Sequence, residues 1–504
     1  MGRRVRETER KYEAPAELEL SDPAQLFGLA VGSQDEFELD ATYFDTADLR
    51  LARAGLTLRR RVGGDDAGWH LKLPVDADSR DELRLPLGRA KHKPPARLVA
   101  LTRVHARGEV LKPIAKLVTR RRRWTLTDGG ADVAELAEDR VHGVALNPVS
   151  NEVEWRELEI ELVGDGSPQL LEACEAELRA IGVRRSDAPS KLSRVLGDRL
   201  TGRADPAPSG KRATAGAVVL AYLREQIAVL RAHDPLVRLD APDAVHKTRV
   251  SARRIRSVLQ GYRRVLDRSA TAELVADLRW LGAELAPARD GEVLAAHIDA
   301  AVDALPDDEV LGPVAVQVTR RFAREQADGR ARALEALNSE RYLQMQERLD
   351  ALVDAPPHTR RAEERATDEL RRAIRKSLRR TAEHRNAADA ADAADAAERD
   401  TALHEMRKAA KRARYVLEAA EPALGKDTRK LRKRVKAVQS LLGDHHDTVV
   451  ARAVLRELGG QAQVEGANGF TFGVLYAEER AAARALEDRL PSAWSGVAKT
   501  AGLT

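Results

Sequence analysis

One cysteine, Cys174, stands in a chain of 504 residues. No internal disulfide can form, and such usage fits a reducing compartment. Its helical surroundings, LLEACEAELRAIG, give it the place of a small buried hydrophobe. Aromatic residues make up only 4%, so a surface that stacks nucleobases has little to be built from. No run of about 18 apolar residues occurs, which excludes an ordinary spanning helix. The opening MGRRVRETER has arginines but no apolar stretch behind them, unlike a secretory signal. No G-x-x-x-x-G-K-[ST] loop is present, so a P-loop nucleotide site is not indicated. The expectation is a cytoplasmic protein with no membrane and no nucleic-acid partner.

Charge is plentiful, at 33% of residues, and unevenly placed. Residues 1–200 hold 33 Lys and Arg against 35 Asp and Glu, whereas residues 201–504 hold 52 against 45. The basic excess therefore lies in the second half, which points to an anionic partner. The two halves also differ in local pattern. Residues 1–165 read as short strands, among them ATYFDT, LTLRRRV, WHLKLP, KLVTRRRRWTL, ADVAEL and WRELEIELV. Residues 168–182 and 187–200 read as helical. TGRADPAPSGKR, 201–212, reads as a linker. From 213 onward nearly everything is helical, and the alanine-rich stretch near 386–400 reads as an exposed helix end or loop. The expected domains are 1–200 and 213–495, since 504 residues exceed a single core.

Several strands of the first half carry charge where a core face should be. In VRETERKYEA, alternation puts Glu7, Glu9 and Lys11 on one side and Arg6, Thr8, Arg10 and Tyr12 on the other. Glu157, Glu159 and Glu161 share a face opposite Leu158, Ile160 and Leu162. Arg59 and Arg61 share a face, Lys72 lies opposite Trp69, Leu71 and Leu73, and Arg80, Glu82 and Arg84 lie opposite Leu83 and Leu85. One such strand is ordinarily the wet side of an open sheet. Like charges at i, i+2 and i+4 repel, and their recurrence in both signs over five strands favours a closed barrel with a polar lumen. Carboxylates on some strands hold hard divalent cations, and Arg and Lys on others neutralise phosphate oxygens.

On these residues the first half resembles the CYTH, or triphosphate tunnel metalloenzyme, family over about residues 3–200. The family's E-x-E-x-K appears as Glu7-Thr8-Glu9-Arg10-Lys11. YFDT at 43–46, L-R-x-R at 58–61, H-L-K-L-P at 70–74, R-x-E at 80–82, a basic strand at 116–123, E-x-x-x-D at 135–139, E-L-E-I-E at 157–161 and S-K at 190–191 follow in the family's order. The resemblance implies an eight-stranded antiparallel tunnel that binds triphosphate with Mg²⁺ or Mn²⁺. It implies Glu7, Glu9, Asp139, Glu157 and Glu159 as metal ligands. It implies Lys11, Arg59, Arg61, Lys72, Arg80, Arg121 and Lys191 as the phosphate cradle, Arg121 being one of four adjacent arginines. Glu7, Glu9 and Lys11 are the expected catalytic group.

The second half contains a duplication. HKTRVSARRIRSVL from 246 and HEMRKAAKRARYVL from 404 both read H-x-x-R-x-x-x-[R/K]-R-x-R-x-V-L. Asp290 lies 44 residues after His246, and Asp447 lies 43 after His404. At about 100° per residue, His246, Arg249, Arg253 and Arg256 fall on one stripe, as do His404, Arg407, Lys411 and Arg414. The opposite faces are Ile255, Val258, Leu259 and Tyr262, and Ala413, Val416, Leu417 and Ala420. A solvated face would mix signs to form i, i+4 pairs, but these stripes contain no acid and no aromatic.

This half resembles the CHAD, or conserved-histidine α-helical, family over about residues 213–495. The resemblance implies two pseudo-symmetric helical bundles that bind inorganic polyphosphate through both stripes. Arg289 with Asp290, and His445, His446 and Asp447, fall in a second motif, where Pro287 departs from the family's flexible turn residue. Adjacent residues diverge by about 100° on a helix, which argues against a shared metal on His445-His446-Asp447. The expected whole is an α+β multidomain chain, a β tunnel with flanking helices followed by an all-α duplicated bundle. Its expected activity is metal-dependent hydrolysis of a triphosphate, inorganic tripolyphosphate first, by a protein associated with polyphosphate granules. A non-catalytic polyphosphate binder, or an enzyme acting on thiamine triphosphate or cyclising a nucleotide, stays open.

Overall fold

The computed structural model describes residues 3–502 apart from 16, 17, 19, 21, 22, 90, 91, 147–150, 201–212 and 392–395. The expected linker, 201–212, and part of the alanine-rich stretch lie outside the described residues. The chain separates into two compact units, Met1–Asp205 and Pro206–Thr504.

The first unit runs β1 (Arg3–Glu13), α1 (Pro23–Phe27), β2 (Ala30–Asp45), α2 (Arg50–Arg53), β3 (Thr57–Val62), β4 (Gly68–Pro74), β5 (Ser79–Leu85), α3 (Ala96–Ala106), β6 (Lys112–Asp128), β7 (Ala131–Ala145), β8 (Asn151–Leu162), α4 (Pro168–Ala180), β9 (Arg184–Arg185) and α5 (Lys191–Leu196). The sheet order is β5-β4-β3-β2-β6-β7-β8-β1-β9, and β5 also pairs with β1. Eight antiparallel strands therefore close into a barrel, with the two-residue β9 added alongside β1. The segment 96–106 is a correction: it was read within an all-strand stretch and forms helix α3. Leu98, Leu101 and Val104, at i, i+3 and i+6, bury one face of it.

Strand parity places the apolar residues outside and the charges inside. Tyr12, Trp124, Leu136, Leu158 and Ile160 face outward and are buried against Leu171, Cys174 and Leu178 of α4. Cys174 is thus a core residue, as its sequence context implies. At one end of the barrel, Tyr43, Leu117 and Val141 pack against Leu192, Val195 and Leu196 of α5. That helix is started by a reciprocal cap: Ser190 accepts from the Ser193 N–H at 3.0 Å, and Ser193 accepts from the Ser190 N–H at 3.0 Å.

Among its described residues the second unit is built of helices, with two isolated β-bridges, Thr214 to Arg365 and Leu266 to His358, between its loops. It runs α6 (Ala215–Arg238), α7 (Ala244–Gly261), α8 (Ala272–Glu284), α9 (Pro287–Asp303), α10 (Val314–Asn338), α11 (Glu340–Asp354), α12 (Ala366–Ala390), α13 (Ala396–Leu424), α14 (Lys426–Val464) and α15 (Phe470–Ala501). The duplicated motifs fall on α7 and α13, which pack together. Their expected apolar backs are buried: Ile255, Val258, Leu259 and Tyr262 on α7, and Ala413, Val416, Leu417 and Ala420 on α13. A β-carbon on Gly261 would lie 2.4 Å from Val416 Cγ2, so this close crossing requires glycine. Pro287 stands in the first turn of α9, where its missing N–H costs nothing. It separates α8 from α9, whereas the second copy runs unbroken through α14.

Gly143 on β7 sits under α5, and a β-carbon there would lie 2.5 Å from Val195 Cγ2 and 3.3 Å from the Trp155 ring. Gly143→Ala should therefore lift α5 and cost roughly 1–3 kcal/mol, read as a lower urea midpoint of the first unit. An unchanged midpoint would contradict this packing.

Candidate active site and cationic stripes

The lumen of the barrel is a cavity of about 870 Å³. Glu7, Glu9 and Lys11 of β1, Arg59 and Arg61 of β3, Lys72 of β4, Arg80 of β5, Arg121 of β6, Glu159 of β8 and Lys191 of α5 all line it. The remaining two expected residues, Asp139 and Glu157, lie behind that lining, 0% and 3% exposed. The four-arginine run resolves by parity. Arg121 points inward with Arg123. Arg120 is 3.6 Å from Glu38 outside, and Arg122 bonds Glu138 and covers the Trp124 ring at 4.6 Å.

Two acidic groups stand in this lumen. Asp139, Glu157 and Glu159 offer oxygens within 4.8 Å of one another. Lys191 Nζ reaches them at 2.8, 2.7 and 2.6 Å. Arg121 forks onto Asp139 at 2.7 and 2.6 Å, and Lys11 bonds Glu159. Burial works against ionisation, yet Lys11, Lys191 and Arg121 hold Glu159 well below the usual carboxylate range. Arg121 and Lys191 likewise hold Asp139 down.

The second group is less well matched. Glu9, Glu161 and Glu135 pair across β1, β8 and β7 in a single row. Lys72 is 2.5 Å from Glu7 and 3.9 Å from Glu9, and Arg84 is 2.6 Å from Glu7. Burial opposes the Glu9 charge, but Lys11 and Lys72 bring its carboxyl down to about 2. Glu161 has no ion pair or hydrogen bond among the described residues. Burial, then Glu7, Glu9 and Glu135, push it up to about 7 against the pull of Lys72. All donors here are oxygens and their charges repel, which is the donor chemistry of a hard divalent cation.

The opposite wall is cationic. Arg59 lies 3.5 Å from Glu82. Arg61 bonds Asp66, and its guanidinium is drawn down to about 9 by burial and by Arg59 and Arg121. Arg80 donates to the carbonyls of Asp76 and Ser79 at 2.9 and 3.1 Å. Glu82, 0% exposed, anchors this wall by contacts with His70 at 2.9 Å, Arg59, Lys72 and Arg84. Burial drives the His70 ring down to about 4, so it is neutral. Glu82, Arg84, Arg123, Glu135 and Glu161 received no role from the sequence. Their signal was parity with Arg80, Arg121, Asp139 and Glu159.

In the second unit the stripes of α7 and α13 converge. Arg253 Nε donates to Tyr415 Oη at 3.3 Å, so an aromatic does border the stripes, although its ring is 1% exposed. Arg249 lies 2.5 Å from Asp290, and Arg407 lies 3.9 Å from Asp447. The late aspartates of both motifs thus fold back onto the second stripe position. The His445-His446-Asp447 run diverges: His445 lies 3.1 Å from Glu487 and 3.6 Å from Asp400, whereas His446 Nδ1 is 3.1 Å from His404 Nδ1. Arg452 and Arg399 already bond the Asp400 and Glu487 carboxylates. Charge crowding is evident. Burial, then Arg407 and Arg253, bring the Lys411 ammonium down to about 7. Burial and neighbouring cations also lower His246, Arg256, His404 and Arg407. An anion laid between the stripes would oppose every one of these shifts.

Fold and site together define a closed β tunnel with an ionised lumen, followed in sequence by a duplicated helical unit with inward cations. Family models match both parts, a CYTH domain over residues 5–195 and a CHAD domain over 221–456. Over 470 residues the chain is 37% identical to a Mycobacterium tuberculosis protein described as uncharacterized, covering 90% of this chain and 89% of that one. The chain belongs to this family of CYTH–CHAD proteins. PptA from Streptomyces chartreusis matches at 21% identity and TM-score 0.48, over 56% of this chain and 100% of that one. The CHAD domain from the plant Ricinus communis matches at 25% identity and TM-score 0.45, over 60% and 96%. No described helix is long and apolar enough to cross a membrane.

The depressed lumen carboxylates make the fold acid-sensitive. Glu9, Glu82, Asp139 and Glu159 titrate lower folded than unfolded. Their stabilisation is present above the ordinary 4.5 of a glutamate and is lost as pH falls through the folded values. Glu161 acts in the other sense, lessening the stability of the metal-free fold as pH rises through about 7. The melting temperature of the first unit should fall steeply below pH 4.5; a flat profile down to pH 2.5 would contradict the lumen pairing.

Proposed function

We propose that the lumen hydrolyses a triphosphate, inorganic tripolyphosphate first, with Mg²⁺ or Mn²⁺, and that the helical unit binds inorganic polyphosphate. Glu161 carries the tunnel reading: a half-buried lumen carboxyl with no ion pair of its own among the described residues, beside Glu9 and Glu135 and in a lumen also lined by Lys72, Arg59 and Arg61. Glu7, Glu9 and Glu161 would hold a metal most readily. Asp139, Glu157 and Glu159 form a second acidic group, already engaged by Lys191, Lys11 and Arg121. A bound divalent cation supplies charge withdrawal from the phosphorus and an acidified water.

The chain's own groups do the rest. Arg59, Arg61, Lys72, Arg121 and Lys191 orient the phosphoryl oxygens and stabilise charge on the departing diphosphate. Water attacks the terminal phosphorus in line, the bridging P–O bond breaks, and a lumen carboxylate accepts the water's proton. Aromatics are few in the lumen: among the described lining residues they are Phe37 and Tyr43, and Tyr43 is 4% exposed. That composition supports an inorganic substrate over a nucleotide. The helical unit would hold such an enzyme on polyphosphate in the cytoplasm.

Purified protein with Mg²⁺ or Mn²⁺ should release phosphate from tripolyphosphate faster than from ATP or thiamine triphosphate. Loss of even outer-shell partners costs metal sites roughly 10–100-fold, so Glu7→Ala with Glu9→Ala should lower release at least about 100-fold. No release by the wild type, or an unaffected variant, would sink the enzyme reading. Retention on long-chain polyphosphate should weaken in Arg249→Ala/Arg407→Ala and in high salt. Unchanged retention would remove the stripes from the binding surface.

A further inference from the structure

One strongly basic segment of the second unit belongs to neither stripe. Helix α12 reads LRRAIRKSLRRTAEHR over residues 370–385. Leu370, Ile374 and Leu378 are buried, and at helical spacing the cations divide into two exposed rows. Arg371, Arg375 and Arg379 form one, and Arg372, Lys376 and Arg380 the other. Each row is i, i+4, i+8, about 12 Å long. Of these six, only Arg372 has an ion pair among the described residues, with Glu369 at 2.6 Å. Six like charges on one face repel by the same i, i+4 rule that makes opposite charges attract, so the face lacks its counter-ion.

This face meets a small cleft between α12, α13 and the end of α7. The cleft is about 90 Å³ and is lined by Arg263, Arg372, Lys376, Arg380 and Arg412, with Glu369 as its one acid. Arg412 lies about 120° round α13 from the centre of that helix's stripe. Arg412 and Arg253 act together on Arg256, the last residue of the α7 stripe, and depress its guanidinium along with burial and Arg279. Arg380 does the same to Arg412. Arg412 of α13 and Arg380, Lys376 and Arg372 of α12 line this one cleft, so cations lead from the motif helix α13, which packs on α7, to the rows of α12.

We infer that the anion track extends beyond the two stripes, through Arg256 and Arg412, onto the outer face of α12, and that its occupant is a further length of inorganic polyphosphate chain. The inference rests on the reading of the stripes as a polyphosphate site. A base-free polymer fits best on chemical grounds. Single-strand nucleic-acid binders interleave aromatics for stacking, and residues 370–385 contain none. Surface-membrane helices bury an apolar face in lipid, and the apolar face of α12 is already in the core. What remains is bare charge spaced along a line.

A chain long enough to occupy both segments gains from the second as an intramolecular contact, and a short chain does not. The full-length triple variant Arg375→Gln/Lys376→Gln/Arg379→Gln alters exposed positions only, with a good helix former, and its fold is checked by circular dichroism. Against polyphosphate of some hundreds of units it should bind about tenfold more weakly, with a salt slope shallower by about 2–3. Against chains of about ten units it should match the wild type. Unchanged long-chain affinity and slope overturn the extension, as does an equal loss for both lengths, or a loss confined to anionic vesicles or single-stranded DNA. Arg249→Ala/Arg407→Ala, run alongside, separates the two readings. If it weakens both lengths while the triple variant weakens neither, the stripes stand and the extension falls. If neither variant weakens binding, the stripe reading falls as well.

Discussion

Ionised side chains drawn into a barrel lumen lose much of their hydration and have to be neutralised largely by one another. Removing a charge from water costs several kcal/mol even after relaxation, and partly matched networks are worse than apolar cores. The tunnel meets this condition almost everywhere. Lys191 engages three carboxylates at once, Arg121 forks onto Asp139, and Glu82 gathers Lys72, Arg59 and Arg84. The clearest exception among the described residues is Glu161, which stands beside Glu9 and Glu135 with no ion pair of its own in a lumen otherwise rich in paired charge. The depressed carboxylates and raised ammonium groups elsewhere follow from the same crowding.

The helical unit states the converse problem. There, like charges converge from two copies of one motif, and among the described residues the acids that ion-pair with the stripes are Asp290 and Asp447, one per copy. Gly261 allows α7 and α13 to cross closely enough for Arg253 to reach Tyr415 and to press on Lys411. The duplication thus acts by superposing two weakly basic faces into one strongly basic one. Depressed arginine, lysine and histidine ionisation marks that surface as short of negative charge. On the proposed reading the two units share a ligand chemistry, phosphoanhydride oxygen, which one would meet with metal-binding carboxylates and the other without.

Much of this was legible in the sequence because a barrel strand has a period of two. VRETERKYEA and WRELEIELV announce their inward faces by alternation alone, and the helical stripes by offsets of three and four. Parity could also have settled Arg121 over its neighbours and drawn in Glu82, Arg84 and Arg123. What parity could not supply was the partner of each charge. Lys191 reaches Asp139, Glu157 and Glu159 only because α5 is capped by Ser190 and packed into the barrel end over Gly143. Glu161 differs from Glu159 in what stands around it: Lys11, Lys191 and Arg121 for Glu159, Glu7, Glu9 and Glu135 for Glu161. Helix α3 was hidden because 86–111 has no alternation to compete with, and its helical face rests on three apolar residues. The return of Asp290 onto Arg249 depends on where α9 begins, at Pro287, and no sequence pattern shows that.

The most direct test of the proposal that Glu161 helps to hold a divalent cation is calorimetric titration of Mn²⁺ into the full-length protein at pH 7 in the presence of tripolyphosphate, repeated in two buffers of different ionisation enthalpy. Wild type should bind with net release of protons, and Glu161→Gln should bind at least about tenfold more weakly with that proton release lost. Equal affinity and equal proton release in the variant would contradict the account.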